Sequence, residues 1–62
     1  MTGLTTKELT ALEDQLTMEQ SAVAKFKMYA HTAADSAIKD KCNCLAEKHQ
    51  KHYDTLAAQL KG

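Results

Sequence analysis

Two stripes of mostly apolar residues constrain this chain more than any other feature of it. The first reads Leu9, Leu12, Leu16, Glu19, Val23, Phe26, Ala30; the second reads Ile38, Cys42, Leu45, His49, His52, Leu56. Steps of three and four alternate along both. That spacing gathers each set on one face of an α-helix and makes the face meet another helix. The chain carries no proline, and its glycines, Gly3 and Gly62, lie outside both stripes. Ala, Leu, Lys, Glu and Gln are abundant, and they favour long helices over strands. With 62 residues there is room for one small domain with a modest core.

The helix ends are written into the sequence. Thr5-Thr6-Lys7-Glu8 has the spacing of a capping box, so the first helix is expected from residue 6. Nothing breaks it before Thr32. Asp35 is the natural next N-cap, which predicts a turn over 33–35 and a second helix over 36–60. Lys61 then sits near the negative end of the second helix, and Gly62 closes it. A connection this short makes the helices antiparallel neighbours. With the turn centred on Ala34, residues whose numbers sum to about 68 lie level in a hairpin of standard helix rise. Ala30 then faces Ile38, Phe26 faces Cys42, Val23 faces Leu45, Glu19 faces His49, Leu16 faces His52 and Leu12 faces Leu56.

The stripes are wider than one hairpin needs. Ala22 and Tyr29 flank the first, and Ala46, Tyr53 and Leu60 flank the second. A face three positions wide suits a four-helix bundle. The expected fold is therefore all-α: an antiparallel two-helix hairpin, residues 1–62 as one domain, dimerising with a second copy into a four-helix bundle.

Glu19, His49 and His52 interrupt the stripes, where a polar side chain is costly unless it has a partner. His49 and His52 are three apart and share a helix face, and Glu19 lies level with His49. Two readings stand side by side. In one, the three residues bind a divalent metal ion such as zinc, iron or manganese, for which imidazole and carboxylate are common ligands. A two-fold dimer would double the set, giving two imidazoles and one carboxylate to each of two ions, with positions left open. In the other, Glu19 and His49 hydrogen-bond or ion-pair as a polar layer that fixes register and oligomeric state.

The cysteines do not form a site with each other. Cys42 and Cys44 are two apart on a helix and point about 200° from one another. Cys42 reads as a small buried apolar residue and Cys44 as an outward thiol, idle or available for an intermolecular cross-link. His31, near the end of the first helix, reads as a cap-region residue that favours the helix dipole. Eight basic and eight acidic residues cancel, and no basic block is present. Charge therefore gives no reason to expect nucleic acid or a membrane surface as partner. No stretch is apolar for long enough to span a bilayer, and the first residues lack the pattern of a signal peptide. A cytoplasmic protein with reduced cysteines is the expectation. No nucleophile–base pair and no phosphate-binding loop stands out, so the chain reads as no enzyme.

Residues 18–30 resemble the first metal-bearing helix of the rubrerythrin and ferritin-like families. An inward Glu19 is followed seven residues on by Phe26, and then by Tyr29-Ala30. Residues 45–56 resemble the second metal-bearing helix, with the family's Glu-x-x-His pair falling on His49 and His52. The His matches and the Glu does not. The carboxylate that usually bridges two irons is thereby lost, which argues against ferroxidase or peroxidase chemistry.

A second resemblance covers nearly the whole chain. Residues 4–16, Lys27-Met28-Tyr29-Ala30, Ile38-Lys39, Cys42 and Glu47 to Tyr53 resemble the small spore-coat-like proteins, of coat F type, of spore-forming Firmicutes. These are short ferritin-like hairpins. The resemblance implies a structural or interaction role, spore association, and a homodimer or a pairing with other coat-like hairpins. The expected function is thus non-enzymatic and structural. The alternative is a small metal-binding bundle using Glu19, His49 and His52.

Overall fold

The computed structural model describes residues 3–61 and contains two helices, α1 (Thr6–Thr32) and α2 (Ser36–Lys61), folded back on each other. Both helix starts and the turn fall where the capping residues place them. Helix α2 runs to Lys61, one residue beyond the expected end, and Gly62 lies outside the described residues.

Each helix start is secured by a side chain. Thr5 Oγ1 accepts from the Glu8 amide at 3.1 Å, and Glu8 Oε1 accepts from the Thr5 amide at 3.0 Å, completing the capping box. The reciprocal bonds satisfy two donors that helix geometry leaves open. They also hold the Glu8 carboxyl below its ordinary range, the Thr5 backbone bond contributing most. Asp35 Oδ1 accepts from the amides of Ala37 at 2.8 Å and Ile38 at 3.1 Å, so it caps α2.

The turn carries a contact the sequence did not announce. Lys39 Nζ donates to the carbonyls of Ala30 at 3.2 Å and His31 at 3.4 Å. A cation from α2 thereby meets the negative end of α1, where carbonyls have no partners of their own. Thr32 Oγ1 also donates to the Met28 carbonyl at 3.1 Å.

The hairpin measures 46 × 15 × 10 Å along its principal axes, so it is one layer of helices thick. Val23, Ala30, Cys42 and Ala46 form its core, with Glu19 the buried polar residue among them. On α1 the contact line follows the expected stripe. On α2 it follows it in part. Cys42 is buried and Leu45, His49 and Leu56 are half-buried, as expected, while Ile38, expected in the seam opposite Ala30, is 55% exposed and His52 is exposed. Ala46, expected as a flank, is the most buried of these residues at 4% exposure, and Tyr53, another flank, is half-buried, so the inward side of α2 is shifted toward that flank. Two helices touch along one line, and Ala46 lies within it. The remainder of the wide stripe has no third element to cover it. Among the described residues no helix is long and apolar enough to cross a membrane.

Candidate metal centre

Glu19, His49 and His52 come together. Glu19 Oε1 lies 2.6 Å from His49 Nδ1 and 3.6 Å from His52 Nδ1. One donor atom from each residue can be chosen so that all lie within 4.8 Å of one another. Side-chain direction explains why residues on different turns converge. Helical side chains lean toward their own N-terminus. In an antiparallel pair Glu19 therefore leans away from the turn and the two imidazoles lean toward it, so the carboxylate falls between them.

Neighbours fix these side chains in place. Gln15 Nε2 donates to Glu19 Oε2 at 3.0 Å, leaving Oε1 to the histidines. The Phe26 ring stacks on the His49 ring, with centroids 5.6 Å apart and planes inclined by 12°. His52 meets His49 edge to face at 5.6 Å, and Tyr29 meets Phe26 in the same way at 6.2 Å. Tyr29, Phe26, His49 and His52 thus form a continuous row of rings. Neither Gln15 nor Phe26 was singled out as a supporting residue from sequence. The signal for both was spacing, four residues before Glu19 and seven after it, on the same helix face.

The hydrogen bond from His49 holds the Glu19 carboxyl below its ordinary value of 4.5. Burial opposes this by penalising the charged form, while the Gln15 amide and the positive charge that His49 and His52 can carry reinforce it. An ionised carboxylate only accepts, so Nδ1 of His49 carries the hydrogen in this contact.

Exposure separates the three. The Glu19 side chain is 10% exposed, His49 29% and His52 59%. The centre is therefore anchored in the contact line and open at His52. There it borders an open groove of about 300 Å³ lined by Gln15, Glu19, His52, Thr55 and Leu56. Cys42 is buried and Cys44 exposed, as expected, and both are free thiols. Neither joins the cluster. His31 is exposed in the last turn of α1.

Compared with known proteins, the chain matches no family model, no curated protein and no solved structure.

Proposed function

We propose that this chain is a non-enzymatic structural and interaction protein, a ferritin-like half-bundle of the spore-coat-like kind, whose working form is a pair of hairpins. The observation that carries the pairing is its surface. A compact monomer of 6.8 kDa exposes about 3,950 Å² by the scaling of area with mass. This hairpin exposes 4,727 Å². The excess is close to the ~800 Å² that one partner contributes to a standard protein–protein interface. Met18, Met28, Tyr29 and Ile38 are each 45% or more exposed, so large apolar side chains supply part of that area. A stable domain needs two packed layers, and a second copy supplies the second layer. The spore-associated role rests on the resemblance of residues 4–53 described above.

Sedimentation equilibrium of the full chain tests the pairing. A dimer of about twice 6.8 kDa at micromolar concentration is the expected result. A well-folded monomer across that range overturns it. Native mass spectrometry from the source cell distinguishes a homodimer from a pairing with a different hairpin.

A second reading is favoured by the convergence of Glu19, His49 and His52 within 4.8 Å: the paired hairpins bind a divalent metal ion in a Glu/His layer. The same residues also satisfy each other through the 2.6 Å hydrogen bond, which serves a purely structural layer equally well. Metal analysis of protein purified without a histidine tag separates the two.

A further inference from the structure

The donor set says more than that an ion fits; it says how many ions and of which kind. We infer that Glu19, His49 and His52 hold one zinc-class divalent ion per chain, with a coordination position left open toward the groove at His52, and not a carboxylate-bridged pair of ions. The inference rests on the metal-binding reading and deepens it.

The count follows from charge. Among the described residues the cluster contains one carboxylate, and its Oε2 is already held by Gln15. One divalent ion beside one carboxylate and two neutral imidazoles leaves a single net positive charge. Two ions would leave three, within a centre anchored on a buried side chain, where uncompensated charge is costly. Paired ions about 3.5–4 Å apart need ligands that both can share, and the cluster has one carboxylate to offer. A second copy brings its own cluster, so one ion per chain holds for monomer and dimer alike.

The kind follows from donor chemistry. Two imidazoles with one carboxylate and a water is a known zinc donor set. Affinity for such nitrogen-containing sites rises from manganese through iron toward zinc, while manganese and magnesium favour oxygen. Ligands about 2.0–2.2 Å from a tetrahedral ion stand about 3.3–3.5 Å from each other. The 3.6 Å contact of Glu19 Oε1 with His52 Nδ1 is near that separation, and at the 2.6 Å hydrogen bond to His49 an ion takes the place of the shared proton and the pair widens. His52, the most exposed of the three, has room to adjust. Gln15 on the carboxylate and Phe26 on the His49 ring are the orienting partners that metal ligands require.

The test uses the full chain without a histidine tag, stripped of metal and titrated with zinc, cobalt(II) and manganese(II). Bound metal per chain is read by elemental analysis after gel filtration, and cobalt geometry from its visible absorption. The expected result is one zinc per chain, displacing cobalt from a four-coordinate spectrum, with manganese bound far more weakly. Gln15→Ala lowers zinc affinity by about 10- to 100-fold, the usual effect of removing an orienting partner, and His52→Ala lowers it by at least that much. His52 is exposed, so its variant keeps the helical circular dichroism of the parent. Cys44→Ser leaves affinity unchanged. Two ions per chain, one ion per two chains, or a preference for manganese overturns the inference while the metal-binding reading stands. Zinc binding that survives His52→Ala also overturns it. Failure of the parent chain to bind any of the three ions overturns the metal-binding reading itself.

Discussion

Glu19 and His49, thirty residues apart in the chain, are joined by a 2.6 Å hydrogen bond that ties the middle of α1 to the middle of α2. It fixes the register of the hairpin. A slip of one helical turn, about 5.4 Å, that carries α2 away from Glu19 on the His52 side would leave a buried carboxylate with neither imidazole in reach, and the opposite slip would put the more exposed His52 in place of His49. The pair therefore selects one alignment among the several that two apolar stripes of equal length permit.

The titration of Glu19 follows from this contact. Its folded value is lowered from 4.5, chiefly by His49. A carboxyl lowered on folding contributes stability that is fully present above its unfolded value and is lost as pH falls through the folded one. Urea denaturation of the parent and Glu19→Gln at a series of pH values measures this. The difference between them is expected to shrink as pH falls below 4.5. A difference independent of pH down to strong acid contradicts the lowered value.

The caps are separable from the centre. Thr5→Ala and Asp35→Ala each remove an N-cap acceptor that is seen in place. Each is expected to lower unfolding free energy by about 1 kcal/mol. Asp35→Ala removes acceptor bonds to both Ala37 and Ile38, and by loosening the turn it also raises hydrogen exchange at the start of α2. Exchange at Leu12, far from the turn, stays unchanged.

Lys39→Met keeps the length of the side chain and removes the charge that meets the Ala30 and His31 carbonyls. A cation at a helix C-terminus contributes about 0.3–1 kcal/mol. Thermal melts of Lys39→Met at low and high salt are expected to differ from the parent by that amount at low salt and by less at high salt.

Local chemistry made most of the fold legible in the sequence. Thr5 and Asp35 are short-range signals, since an N-cap needs only the amides two and three residues on. The Glu19–His49 level is legible from turn length, because helices of fixed rise bring these two residues level once the turn is placed, and their hydrogen bond then holds that register. The α2 contact line was harder to read. Ile38 looks like a better seam residue than Ala46 by hydrophobicity, yet Ala46 is buried against α1 and Ile38 is exposed. Hydrophobicity reports what the whole stripe buries in its final assembly, whereas burial within one chain reports only the first partner. Lys39 escaped notice because its role depends on reaching across the turn to α1, which no spacing within α2 encodes.

That difference between the two contact lines gives the sharpest test of pairing. Ile38 is 55% exposed in the hairpin, and an exposed position tolerates lysine within about 0.5 kcal/mol. If the uncovered stripe is buried by a second copy, Ile38→Lys puts a charge into that interface. The variant is then expected to sediment as monomer and to lose the concentration dependence of melting that the parent shows. Leu45→Ala is the companion. Leu45 is only half-buried in one hairpin, so a cost within the range of about 2–5 kcal/mol belongs to a leucine enclosed by assembly. An Ile38→Lys chain with unchanged mass and melting, beside a Leu45→Ala chain with negligible loss, would leave the stripe facing solvent and remove the case for a second layer.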